Sequence, residues 1–193
     1  MPIATIGDLK GYTRNGLAAA DDATLQLALD TADFSVRHHV KRGINVATTS
    51  TARSYVPNDT AILRFADCTA VATIVDNGVT LAAGVDYQLE PVNAINDVGD
   101  TVPYEQARRL NSCWYSTVQG KATVVVTASW GWVSIPAWAK EATLILAADI
   151  FATRDQPGGV AGFGEYGAVR VREHPVVSKI LAPHRRVETW GIG

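Results

Sequence analysis

The chain has 193 residues, a formal net charge of −2, and 19% charged residues against 47% hydrophobic ones. A chain of this length buries enough apolar surface to fold without disulfides or metals. The small net charge excludes the strong basic field on which general nucleic-acid binding depends. A low share of charged side chains favours contacts with other protein surfaces.

The two cysteines, Cys68 and Cys113, are too few and too far apart for a disulfide framework or a zinc site. We predict that both are reduced and partly buried. The first residues lack the basic start and apolar run of a secretory signal, and no stretch approaches the roughly 18 apolar residues of a membrane span. We therefore expect a soluble chain without a membrane partner, made in the cytoplasm of its host.

Residues 1–50 show a helical pattern. Apolar residues recur at spacings of three and four, which places them on one helix face: Leu25, Ala28, Leu29, Ala32, Val36 and Val40. Asp21 or Asp22 is the predicted N-cap, and Gly43 the predicted left-handed residue after the helix end. A shorter helix over residues 6–12 precedes it. This region is the predicted N-terminal helical part of the core.

Residues 51–133 change to short runs of β-branched and aromatic residues separated by turn residues, which predicts a β-rich insertion. Asn77-Gly78 predicts a type I′ hairpin turn, because this pair readily takes positive φ angles. Residues 123–130 are the predicted central strand, and residues 103–110 fit either a strand or a mobile flap. No linker-like composition bounds the region, so we predict one domain with an insertion.

Residues 134–193 form the predicted C-terminal part, and the helical period returns there. Pro136 suits a first helical turn, and the helix over residues 136–151 is apolar on nearly every side. Such a helix is typically buried between neighbours, from its own chain or from another subunit. The predicted subunit-packing residues are Trp138, Leu144, Ile145 and Ile150.

The predicted fold class is therefore α+β, with N-terminal and C-terminal helices packed together in a core and a β-rich insertion between them. A glycine-dense stretch follows the long helix, then a strand-like piece over residues 168–172 and a short helix over residues 175–181.

The glycine-dense stretch contains a G-x-G-x-x-G pattern at Gly162, Gly164 and Gly167. Dinucleotide binding needs this pattern after a strand and at the start of a helix, so that the pyrophosphate meets the helix N-terminus. Here the order is reversed, because a helix precedes the pattern and a strand-like piece follows it. We predict a flexible loop and no cofactor, with a small nucleotide-binding enzyme as the alternative. The predicted loop glycines are Gly158, Gly159, Gly162, Gly164 and Gly167.

No residue pattern predicts catalysis or metal binding. His38 and His39 are adjacent, point to different sides of a helix and lack a zinc-binding frame. His174 precedes Pro175 and is predicted to cap or flank the last helix. No serine or cysteine lies at a recognisable nucleophile turn, and the carboxylates are scattered. We predict that the protein is not an enzyme.

The end of the chain is basic and predicts a docking segment. Arg170 and Arg172 share one face of the predicted strand, which is either a solvated face or a surface that meets an acidic partner or a phosphate backbone. Trp190 lies in a glycine-flanked tail, where a large exposed ring suits an anchor in a partner's pocket. The predicted partner-interface residues are Arg170, Arg172, His184, Arg185, Arg186 and Trp190.

Three segments carry a resemblance to a known family. They are the helix opening Pro136-Ala137-Trp138-Ala139-Lys140-Glu141-Ala142, Arg154 with the glycine-rich loop, and the ending Pro175-Val176-Val177-Ser178-Lys179-Ile180-Leu181-Ala182-Pro183-His184-Arg185-Arg186. With the N-terminal helical pair, they resemble the head-tail connector (adaptor, head-completion) proteins of long-tailed bacteriophages. The β-rich middle departs from the compact, mainly helical members of that family.

The resemblance implies a ring, dodecameric in such connectors, that is mounted beneath the portal in the neck of the virion. It implies that residues 183–193 reach the portal protein and that the ring extends the DNA channel and offers a docking surface to the tail. A tail or head-completion (stopper) protein would be a further partner, and genomic DNA would pass through the lumen without specific binding. Another neck or tail-completion protein is the alternative.

Overall fold

A computed structural model of the chain describes residues 1–13, 21–96, 98–115, 120–154 and 174–186. The described residues form helices and one six-stranded antiparallel sheet, so the protein is α+β. They divide into two compact units: a helical unit with residues 1–44 and 135–186, and a β unit with residues 45–134.

The helical unit is built around one long helix that packs against three others. Its helices are α1 (Ile6–Tyr12), α2 (Asp22–Val40), α3 (Ala137–Arg154) and α4 (Pro175–Leu181), and a 3-10 turn (Ala182–His184) follows α4. The central helix, α3, contacts α1, α2 and α4. Buried side chains from all four helices form one core, among them Leu9, Leu25, Leu29, Leu146 and Leu181.

Local capping explains where the first two helices begin. Thr5 caps α1 in a capping box with Asp8, in which each residue's side chain accepts a hydrogen bond from the other's backbone N–H. Asp21 caps α2 by accepting from the Thr24 N–H, which confirms the predicted start. The predicted end is wrong by two residues. Lys41, with φ 55°, takes the left-handed position that the pattern had placed at Gly43.

The β unit holds a single antiparallel sheet with strand order β1-β6-β2-β5-β4, and β3 pairs with β2. Its strands are β1 (Thr51–Tyr55), β2 (Ile62–Asp76), β3 (Val79–Thr80), β4 (Tyr87–Glu90), β5 (Tyr104–Arg109) and β6 (Val124–Trp130). The predicted central strand, β6, is internal but lies beside β1, and β2 holds the middle of the sheet. β5 makes the 103–110 region a strand.

The longest strand, β2, is 15 residues long and its pairing is irregular. Its pairing with β6 shifts register between Cys68 and Ala70 and again between Val71 and Thr73. Such irregularities bend a strand and increase its twist. At its end, Asn77 (φ 49°) and Gly78 (φ 86°) have the positive φ angles that the hairpin prediction required.

The sheet has its own hydrophobic core. Phe65 and Trp130 meet edge to face with ring centroids 6.2 Å apart, and Tyr55 contacts both rings. Each unit thus buries apolar side chains independently of the other. Across the described ranges, no helix combines the length and the apolar character that crossing a membrane requires.

Candidate functional site

The basic end of the chain is held on the helical unit. The Arg186 N–H donates to the Val40 carbonyl oxygen at 2.9 Å. Arg42 Nε donates to the His184 carbonyl oxygen, also at 2.9 Å, across a separation of 142 residues. These bonds connect the last turn of α2 to the segment that follows α4. Residues 182–186 therefore form an ordered platform, which we call the C-terminal platform.

An aromatic stack fixes the same segment. The His184 imidazole lies flat on the Trp138 indole, with ring centroids 4.1 Å apart and planes 6° apart. The sequence had placed Trp138 in subunit packing and His184 in the partner interface. The structure brings the two together in one chain, so one face of each ring is already occupied.

Basic residues lie on the two segments that these bonds join. Lys41 and Arg42 directly follow α2, and the bonds from Arg42 to His184 and from the Arg186 N–H to Val40 join their segment to the one that contains Arg185. The carbonyl ends of a helix favour cations at this position. Arg185 is exposed, and the chain as a whole carries a net charge of −2. The two joined segments therefore carry four basic residues, Lys41, Arg42, Arg185 and Arg186.

The helix before the platform is anchored by His174. Its Nδ1 accepts from the Val177 N–H at 3.2 Å, so His174 is the N-cap of α4, as predicted. Its Nε2 lies 3.0 Å from an Asp149 carboxylate oxygen. Because Nδ1 accepts, the neutral ring carries its hydrogen on Nε2, which donates to Asp149. The start of α4 is thereby tied to α3.

The predicted subunit-packing residues of α3 lie against the core of their own chain. Leu144 is 8% exposed, and Trp138, Ile145 and Ile150 are partly buried against the same cluster. The sequence left open whether this helix packs on its own chain or on another subunit. Most of its apolar surface is used within the chain.

Several predicted site residues lie outside the described ranges. They are Arg170, Arg172 and Trp190 of the partner interface, and the loop glycines Gly158, Gly159, Gly162, Gly164 and Gly167.

Sequence reasoning missed an exposed apolar face on α2. Leu27 is 67% and Phe34 70% exposed. They are seven residues apart, which is two helical turns, so they share one side of the helix. The signal was in the sequence: Ala23, Leu27 and Phe34 form a second apolar series, out of phase with the buried one.

The described titratable groups offer no reactive set. Burial, with the charge of Asp67 beside it, raises the pKa of the Cys68 thiol to about 12, so this thiol stays protonated and inert. Cys113 is exposed, and neither cysteine is in a disulfide. Within the described ranges, no group of three or more His, Cys, Asp or Glu residues is placed to hold a metal ion.

An open hollow in the β unit is lined in part by carboxylates. It is lined by Glu90, Pro91, Val92, Ile95, Glu105 and Gln106. Burial favours the neutral form of Glu90, but hydrogen bonds from Arg108 and Gln106 outweigh burial and hold its pKa below the usual range. An ionised, paired carboxylate of this kind is a structural group and a poor general acid.

Comparison with known structures connects this fold to particle necks. One neighbour is a chain in the neck of a native gene transfer agent (GTA) particle computed with C12 symmetry. It has 15% identity and a TM-score of 0.54, and the match covers 99% of this chain and 97% of that one. A second is from the neck of an empty GTA particle computed with C6 symmetry, with 18% identity, a TM-score of 0.56, and coverage of 99% and 92%. No protein-family model matches the sequence, and no curated protein does.

The match extends over both units of the fold. Each match covers 99% of this chain, and it covers 97% and 92% of the two neck chains. The fold is therefore that of chains in the neck of a phage-like particle, in line with the resemblance carried by the helical segments.

Proposed function

We propose that the chain is a structural protein of a virion neck, where copies form a ring between the portal and the tail. The observation that carries the proposal is the shared fold with two neck chains over almost their full length. The particles in question were computed with C12 and C6 symmetry, which supports a cyclic arrangement. In this role the ring extends the DNA channel and offers the tail a docking surface, and no reaction is required of it.

The proposed partners are the portal protein, further copies of the chain, and a tail or stopper protein. The C-terminal platform supplies the proposed portal contact through His184, Arg185 and Arg186, and residues 187–193 would continue it. The net charge of −2 supports passage of DNA without specific binding, because phosphate contacts are what hold nucleic acid on a protein. Subunit packing through α3 would use the parts of Trp138, Leu144, Ile145 and Ile150 that their own core leaves uncovered.

The test is to measure the mass of the purified chain, alone and with the portal protein of the same particle. We expect a closed ring, of twelve copies if the connector resemblance holds, visible by electron microscopy. A chain that stays monomeric in both conditions would contradict the proposal. Immunolabelling on particles separates the connector position from another neck or tail-completion position, which the same fold would also suit.

A further inference from the structure

The exposed face of α2 is organised for contact. Leu27 and Phe34 project from the side of the helix opposite its buried residues, such as Leu29 and Val36. The Phe34 ring stacks on His38 with centroids 5.8 Å apart and planes 14° apart. The ring is therefore held in place before any partner arrives, which lowers the entropy lost on binding.

The polar groups on this face are already satisfied. The Thr31 hydroxyl donates to the Leu27 carbonyl at 2.8 Å, and the Ser35 hydroxyl donates to the Thr31 carbonyl at 2.8 Å. Burying an unpaired hydroxyl costs free energy, whereas these hydroxyl donors stay bonded when water leaves. Removing water from this face therefore costs little free energy. One charge stands within it, the exposed carboxylate of Asp30, which accepts a hydrogen bond from Gln26.

A second apolar face lies on α4. Val176 is 51% exposed, on the side of the helix away from the buried Val177 and Leu181. Lys179 lies three residues further on, beside Val176 on the helix surface, and is exposed. Within the part of the chain that the structure describes, no carboxylate forms an ion pair with Lys179. This face is therefore apolar at its centre with one positive charge.

We propose that the outer face of α2 on one copy packs against the outer face of α4 on the next copy. Leu27 and Phe34 meet Val176, and Asp30 pairs with Lys179. The inference rests on the proposed ring, since a closed ring joins two different faces of each subunit. Apart from Met1 and Tyr12, the exposed large apolar residues described in the helical unit are Leu27, Phe34 and Val176. Their two faces carry opposite charges.

Cysteine cross-linking tests the contact directly. Phe34→Cys and Val176→Cys are made separately, each with Cys113→Ser to remove the exposed native thiol. We expect an intermolecular disulfide when the two variants are mixed and none from either variant alone, because a bridge needs Cα atoms within about 7 Å. The chain carrying both substitutions should give a ladder of linked copies. Val85→Cys, 62% exposed in the β unit, replaces Val176→Cys in the control mixture.

Charge exchange tests the same contact without oxidation. Asp30→Lys and Lys179→Asp each place like charges opposite one another. Each should therefore raise, by about fivefold or more, the protein concentration at which half of the chains are assembled. The chain with both changes should assemble like the wild type. Circular dichroism checks that each variant is folded, which is expected for exposed positions.

The outcomes separate this inference from the proposed function. A wild-type ring with no cross-link in the mixture, or with silent charge variants, overturns the α2–α4 contact and leaves the ring standing. Cross-links from one variant alone also overturn it, since they indicate a two-fold contact instead of a head-to-tail one. A wild-type chain that is monomeric alone and with the portal contradicts the ring itself. Where assembly needs the portal, both tests are run in its presence.

Discussion

Asp8 is the residue on which the start of the helical unit depends. Its carboxylate accepts from the Thr5 N–H at 3.0 Å and the Thr5 hydroxyl at 2.8 Å, and Lys140 Nζ lies 2.7 Å away. The pKa of Asp8 is lowered to about 2. The hydrogen bond from Lys140 is the largest cause, and the hydrogen bonds from Thr5 follow. One side chain thus joins the cap of α1 to the first turn of α3.

We predict that Asp8→Asn lowers the free energy of unfolding at pH 7 by about 1 kcal/mol, since both partners are partly exposed and water screens the pair. A lowered folded-state pKa stabilises above the unfolded value of 3.8, and the stabilisation disappears as the pH falls through about 2. Urea unfolding from pH 7 to about pH 2 should therefore show the difference between the two proteins shrinking below the unfolded value of 3.8. Glu141→Gln, at an exposed carboxylate on α3, is the matched control, and a pH-independent difference would count against the ion pair.

His184 offers a second test at the scale of single residues. Removing its ring with His184→Ala deletes the stack on Trp138 but leaves the backbone bond from Arg186 to Val40 available. A stack of this kind is worth about 0.5–1.5 kcal/mol. We therefore expect the Arg186 amide to exchange its hydrogen about 2 to 10 times faster. The control His38→Ala removes a different stacked imidazole, the one on α2, and should leave the exchange rate of the Arg186 amide unchanged. If the two substitutions raised that rate equally, the platform would not depend on the stack of His184 on Trp138.

At the scale of elements, the end of β6 depends on a residue without a side chain. Gly131 has φ 122°, and a Cβ there would lie 2.3 Å from the Asn45 backbone oxygen. Gly78 also has a positive φ, of 86°, but a Cβ there meets open space. We predict that Gly131→Ala destabilises the β unit by about 2–4 kcal/mol and Gly78→Ala by about 1 kcal/mol. Urea unfolding of the sheet measures both losses of stability. Because both glycines have a positive φ, the difference between the two losses reports the clash of the new Cβ with the Asn45 oxygen. Equal losses would mean that the Asn45 segment simply moves aside.

The elements that local patterns determine were predictable, and those that distant contacts determine were not. The bounds of α1 and α4 and the Asn77-Gly78 turn follow from capping residues, proline placement and glycine freedom. The end of α2 differs, because Lys41 takes the left-handed conformation. The platform could not be predicted, since the Arg42 bond to His184 joins residues 142 positions apart. The sequence showed only that the residues at the end of the chain are basic.

At the scale of the whole molecule, the two hydrophobic cores and the exposed charges have separate roles. Each unit is stabilised by its own buried side chains, which leaves surface residues available for assembly. The helical unit presents the two faces proposed for neighbouring copies and the basic platform proposed for the portal. Substitutions at the platform should therefore alter docking while the fold and the ring persist.

We predict that changing Arg185 and Arg186 together to glutamate weakens portal binding about tenfold at 0.1 M salt, because ionic contacts at a surface act over roughly a Debye length. The loss should shrink as salt rises toward 1 M, where screening weakens the wild-type contact as well. Titration of the portal with each protein at several salt concentrations measures the effect. Arg64→Glu with Lys121→Glu makes the same change of net charge in the β unit and should leave binding unchanged. A loss independent of salt, or one shared by this control, would show that the platform's charges do not make the contact.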